Sequence, residues 1–102
     1  MSNLEEGGRY FVRYISLEGE TTERTILPVE IPTKNVKAVD ISDFHVEDQG
    51  EIQNLYRQYQ EYRETFTKRM FSFQDWVEHS TGVVMDLKYR TFVPENLELL
   101  DE

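Results

Sequence analysis

The hydrophobic pattern changes period in the middle of the chain, and that change narrows the available folds more than any other feature. From Ile52 onward, apolar residues recur as Ile52, Leu55, Tyr59, Tyr62, Phe66 and Met70. Steps of three and four place all of them on one face of an α-helix. Tyr56 flanks this stripe and is expected to be partly exposed. Asp48-Gln49-Gly50-Glu51 has the form of a capping box, with an acceptor at the N-cap and Glu three residues on. Ser72-Phe73-Gln74-Asp75 reads as a second cap. It opens a short helix to about Ser80 that buries Phe73, Trp76 and Val77 and stops at Gly82.

On either side the pattern has the period of a strand. Arg9 to Ser16 is aromatic and β-branched, with apolar groups on both faces, so it is expected to be a largely buried strand. Leu17-Glu18-Gly19-Glu20 supplies the turn. Thr21 to Leu27 forms a second strand that must end, bulge or lie at an edge at Pro28, which has no N–H to give a ladder. Asn35 to Ile41 alternates as a third strand. Val83 to Phe92 reads as a fourth, burying Val84, Leu87, Tyr89 and Phe92, and Leu97 to Leu100 as a short edge strand. The expected fold is α+β: a small, curved antiparallel sheet or an SH3/Sm-like barrel, with the long and the short helix inserted between strands three and four. The helical stripe must be covered by that sheet.

A chain of 102 residues matches the size of one domain, spanning residues 1–102. Residues 1–8, ending in Gly7-Gly8, are expected to be a mobile lead-in, and residues 98–102 an acidic tail. There is no cysteine, which excludes a disulfide scaffold and thiolate chemistry and fits a reducing compartment. The first residues carry no basic and apolar leader pattern, and no long apolar run follows. A cytoplasmic protein away from membranes is the expectation.

The net charge of −9, from 20 acidic and 11 basic residues, opposes non-specific binding to phosphate backbones and favours a basic protein partner. Part of the excess gathers at Asp40, Asp43, Glu47 and Asp48, a candidate partner-binding patch that also reads as a solvated connector. Asp43, His45 and Glu47 alternate there, but they lack the spacing of a calcium loop or of a paired-histidine metal site. Tyrosines interleave with Arg57, Arg63, Lys68 and Arg69, but fall on the apolar face of the helix, which favours core packing over base stacking. No phosphate-cradling glycine loop occurs, and His79 has no triad order around it. No catalytic residue, cofactor or metal site is expected.

Two strand-like segments echo each other. Arg24-Thr25-Ile26-Leu27-Pro28 and Arg90-Thr91-Phe92-Val93-Pro94 share Arg, Thr, two apolar residues and Pro. With Val12-Arg13-Tyr14, the Gly19 turn, Val36-Lys37-Ala38-Val39-Asp40 and Leu97, they resemble a WYL-type domain, the small Sm/SH3-like barrel of bacterial regulators and defence systems. The Trp-Tyr-Leu tripeptide itself is absent, its place falling near Val36–Val39. The resemblance implies that Arg24 and Arg90 bind nucleic acid or a nucleotide-like anionic ligand. The residues alone favour a non-catalytic interaction or regulatory module, in its sharper form an acidic inhibitor of a basic or nucleic-acid-binding protein. The alternative is the WYL-like sensor acting through Arg24 and Arg90.

Overall fold

In a computed structural model, which describes residues 4–31, 35–65 and 71–100, the strand-period segments pair into one antiparallel sheet. Its strands are β1 (Tyr10–Ile15), β2 (Thr21–Glu30), β3 (Val36–Asp40), β4 (Lys88–Phe92) and β5 (Leu97–Leu99), and the order across the sheet is β4-β3-β2-β1-β5. Helices α1 (Val46–Thr65) and α2 (Phe73–Thr81) enter between β3 and β4, where the change of period requires them. The fold is therefore α+β, with an open curved sheet. Strands β4 and β5 lie at opposite edges, so no closed barrel forms.

Alternation along the strands divides the sheet into two faces with separate cores. Leu27 and Val39 point to one face, where Ile52, Tyr56 and Tyr59 of α1 and Phe73 and Val77 of α2 cover them. Val12, Ile26, Val36, Ala38 and Phe92 form the core of the other face, with Tyr10, Tyr14 and Leu97 packed against it. This second face is concave. The rings of Tyr14 on β1 and Phe92 on β4 meet edge to face, with centroids 5.0 Å apart, although two strands separate them in the sheet. Only strong coiling of the sheet brings such distant strands together.

Local chemistry fixes the joints. Gly19 takes φ +87° in the β1–β2 hairpin, and Gly82 takes φ +74° at the end of α2, a region that side chains with a Cβ disfavour. The Ser72 side chain accepts from the Asp75 N–H and opens α2 as its pattern predicts. Pro28 sits inside β2, tolerated because the register slips between Pro28 and Glu30.

Several expectations are corrected. Helix α1 begins at Val46, so Asp48 is not its N-cap; it lies in the first turn, where its charge complements the helix dipole. The buried Gln49 amide sets this start by donating to the carbonyls of Ile41 and Phe44, both at 3.0 Å. The buried stripe is Gln49, Ile52, Tyr56 and Tyr59, so Tyr56 is a core residue and not a flank. Phe66 and Met70 lie outside the described residues. In β1 only Val12 is buried, while Phe11 and Ile15 on the opposite face stay exposed. Val83 and Val84 are exposed and precede β4, which starts at Lys88, and Tyr89 stays partly exposed.

The segment expected as a mobile lead-in is docked over residues 4–8. Gly7 donates to the Pro28 carbonyl at 2.9 Å, and the Gln53 amide reaches the Gly7 carbonyl at 3.1 Å. The Glu6 carboxylate accepts from the Tyr56 hydroxyl at 2.5 Å and pairs with Arg63. Of the expected acidic tail, Glu98 pairs with Arg13 in β5 against β1, and Asp101 and Glu102 lie outside the described residues.

Candidate functional site

The concave face carries a group of charges that hydrophobic packing alone would not place there. In the β2–β3 ladder Asp40 stands opposite Ile26, and in the β3–β4 ladder Arg90 stands opposite Ala38. Arg24 and Arg90 are therefore diagonal neighbours of Asp40 from either side, within reach of long side chains. The geometry follows from this register. The Arg90 Nε donates to one Asp40 carboxylate oxygen at 2.8 Å, and an Arg24 terminal nitrogen lies 3.7 Å from the same atom. The other oxygen accepts from the Ser42 N–H at 3.1 Å and from the Ser42 hydroxyl at 2.6 Å. The Ser42 oxygen in turn accepts from the Thr25 N–H at 2.9 Å, which ties the network to β2.

The Asp40 side chain is only 5% exposed, against 32% for Arg24 and 49% for Arg90. Burial alone would push its carboxyl pKa up. The two Ser42 hydrogen bonds, and then the Arg24 and Arg90 charges, outweigh burial and hold it below the ordinary carboxylate value. Asp40 is thus a fixed anion with two cations above it, and the group retains one positive charge. Both guanidiniums line a cavity of about 320 Å³ together with Tyr14, Ser16, Thr22, Thr91 and Phe92. Beyond Asp40 neither arginine has an acidic partner among the described residues. The cavity therefore offers donor forks beside hydroxyls and an aromatic wall.

The remaining acidic candidates are placed differently. Asp40 is buried and paired, so it belongs to the concave face and not to an exposed patch. Asp43 is exposed and faces Lys88 at 4.0 Å, while Glu47 and Asp48 are exposed on the first turn of α1. Asp43, His45 and Glu47 do not gather: among the described residues, no three His, Asp or Glu side chains form a group able to hold a metal ion. Among those residues, no helix is long and apolar enough to cross a membrane.

Compared with protein-family models, curated proteins and solved structures, the chain shows no match. The site has to be read from its own chemistry. The convergence of Arg24 with Arg90 had a signal in the sequence, the repeated Arg-Thr-apolar-apolar-Pro pattern. The role of Asp40 between them had none, because a carboxylate in a strand reads as solvent-facing until the ladder register is known.

Proposed function

We propose that the protein is a non-catalytic binding module that takes a small anionic ligand on its concave face through Arg24 and Arg90. The observation that carries this reading is that two partly exposed guanidiniums from different strands converge on one buried carboxylate at the wall of one cavity. A guanidinium presents its donors in a planar fork that matches carboxylate and phosphate oxygens. Asp40 draws both arginines to one point of the sheet and leaves the group one positive charge to offer a ligand. In a chain of net charge −9, this is a local positive site. The WYL-like pattern is consistent with a nucleotide-like ligand or a nucleic-acid end.

The test is calorimetric titration of inorganic phosphate, nucleoside monophosphates and a short single-stranded oligonucleotide into the wild type and into Arg24→Ala, Arg90→Ala. Saturable binding that falls by about tenfold or more in either variant supports the reading. If no anion binds, or if binding survives both substitutions, the reading fails.

A second reading has its own observation: Asp43, Glu47 and Asp48 are all exposed around the start of α1. That surface favours an acidic module that occupies a basic protein. Reversing Glu47 and Asp48 to Lys would then abolish capture of a basic partner from lysate, whereas unchanged capture would remove this surface from the account.

A further inference from the structure

A second cavity, of about 750 Å³, lies on the helix-covered face and shares no lining residue with the arginine cavity. Its volume is in the range that holds small organic ligands. Tyr59 and Phe73 form part of its wall from the helices, and Tyr89 forms part from β4. Tyr59 and Phe73 are already packed on each other, with centroids 5.4 Å apart. Tyr89 is different. Its ring is partly exposed and its hydroxyl has no hydrogen-bond partner among the described residues. The Lys37 ammonium lies 5.9 Å from the centroid of its ring.

The charges lining this cavity sort into used and unused pairs. Arg63 and Glu6 are joined to each other, and Arg63 also sits over the Tyr59 ring at 5.3 Å. Glu30 and Lys37 remain. They are register partners across the β2–β3 bulge, yet neither makes an ion pair among the described residues. A cation and an anion on one rim, above an aromatic wall, present complementary groups to a ligand that carries both charges and a ring. A purely anionic ligand would meet Glu30, a purely cationic one would meet Lys37, and an aliphatic one would leave the ring faces unused.

We infer that this cavity binds a free aromatic amino acid, with its ring against Tyr89 and Phe73, its carboxylate on Lys37 and its ammonium on Glu30. Aromatic stacking supplies the attraction, and the two rim charges select the zwitterion.

The test uses the full chain, isotopically labelled, and follows backbone resonances during titration with tryptophan, tyrosine and phenylalanine. At least one of them should give saturable shifts at Lys37, Phe73 and Tyr89. 3-Phenylpropionate lacks the ammonium, phenethylamine lacks the carboxylate, and leucine lacks the ring; each should bind weaker by about tenfold or more. Lys37→Ala and Tyr89→Ala should weaken binding similarly, and Arg24→Ala should leave it unchanged. Lys37 is exposed, so its substitution reads the site even if Tyr89→Ala perturbs the fold. The inference is overturned if none of the three amino acids gives a saturable shift. It is equally overturned if the single-charge analogues bind as well as the zwitterion, or if Lys37→Ala has no effect.

Discussion

Asp40→Asn removes one charge from the centre of the concave face while keeping the shape of the side chain, and the structure sets the size of its effect. The Arg90 contact at 2.8 Å is a charge-assisted hydrogen bond to a nearly buried acceptor, worth about 1.5–3 kcal/mol. Arg24 at 3.7 Å, with its side chain 32% exposed, adds only ~0–1 kcal/mol because water screens it. Asparagine can still accept from Ser42 but gives Arg90 no anion, so the expected loss is about 2–3 kcal/mol at neutral pH. For a domain of this size that lowers the melting temperature by about 10–20 °C. Trp76 is the only tryptophan and packs beside Tyr59 at 5.8 Å, so its fluorescence in urea reports unfolding. The sign with pH follows from the lowered carboxyl pKa of Asp40. A depressed folded-state value means that the ion-pair stability is complete above the ordinary Asp value of about 3.9 and is lost as pH falls through the lower folded value. The gap between wild type and Asp40→Asn should therefore be constant from neutral pH to about pH 5 and close on further acidification. A variant within about 0.5 kcal/mol of wild type at pH 7, or a gap that persists unchanged into acid, would refute the network as described.

Three other outcomes are expected. Tyr56→Phe, which removes a buried hydroxyl bonded to Glu6 and near the Val29 carbonyl, should cost about 1–2 kcal/mol in urea unfolding. The loss should be non-additive with Glu6→Gln in a double-mutant cycle. Burial, and then the Glu6 hydrogen bond, raise the Tyr56 pKa, so its contribution is intact below the ordinary tyrosine value of about 10 and is lost as pH rises beyond it. Alkaline unfolding should accordingly begin later in Tyr56→Phe relative to its own neutral stability. Ser72→Ala should cost ~1 kcal/mol by leaving the Asp75 N–H without its cap, and Gly82→Ala a similar ~1 kcal/mol through its positive φ; thermal melts by circular dichroism check both.

The parts of the fold that were legible in the sequence are those governed by local rules. The short helix between Ser72 and Gly82 follows from an oxygen-bearing N-cap and a glycine at φ +74°, and both signals stand in the sequence. The insertion of two helices between β3 and β4 follows from the change of hydrophobic period. What escaped depends on contacts between distant segments. Tyr56 looked marginal because helical spacing admits two adjacent stripes, and only the docked Glu6 and the Val29 carbonyl decide between them. Val84 looked buried because an apolar residue in a strand-like run carries no mark of whether a sheet is there to receive it. At the site, Arg24 and Arg90 could be named from their repeated pattern. Asp40 reads from the sequence as a surface acid, since its burial comes from a register that sets it opposite Ile26 and diagonal to Arg24 and Arg90.

The same central carboxylate links stability to binding, and this gives the two functional readings opposite signatures. Asp40 occupies part of the donor capacity that an anionic ligand would use, so Asp40→Asn should weaken the fold while strengthening anion binding at Arg24 and Arg90. An interaction surface made of Asp43, Glu47 and Asp48 predicts no such gain, because those groups lie outside the network. Salt separates the readings further. A basic partner drawn to exposed acids loses affinity steadily as the Debye length contracts from about 10 Å at 0.1 M toward ~3 Å at 1 M. A small anion approaching a chain of net charge −9 is first repelled by the molecule as a whole and attracted only at the cavity. Modest salt relieves the long-range repulsion more than it weakens the close, partly desolvated contact. Its association rate should therefore rise before its affinity falls.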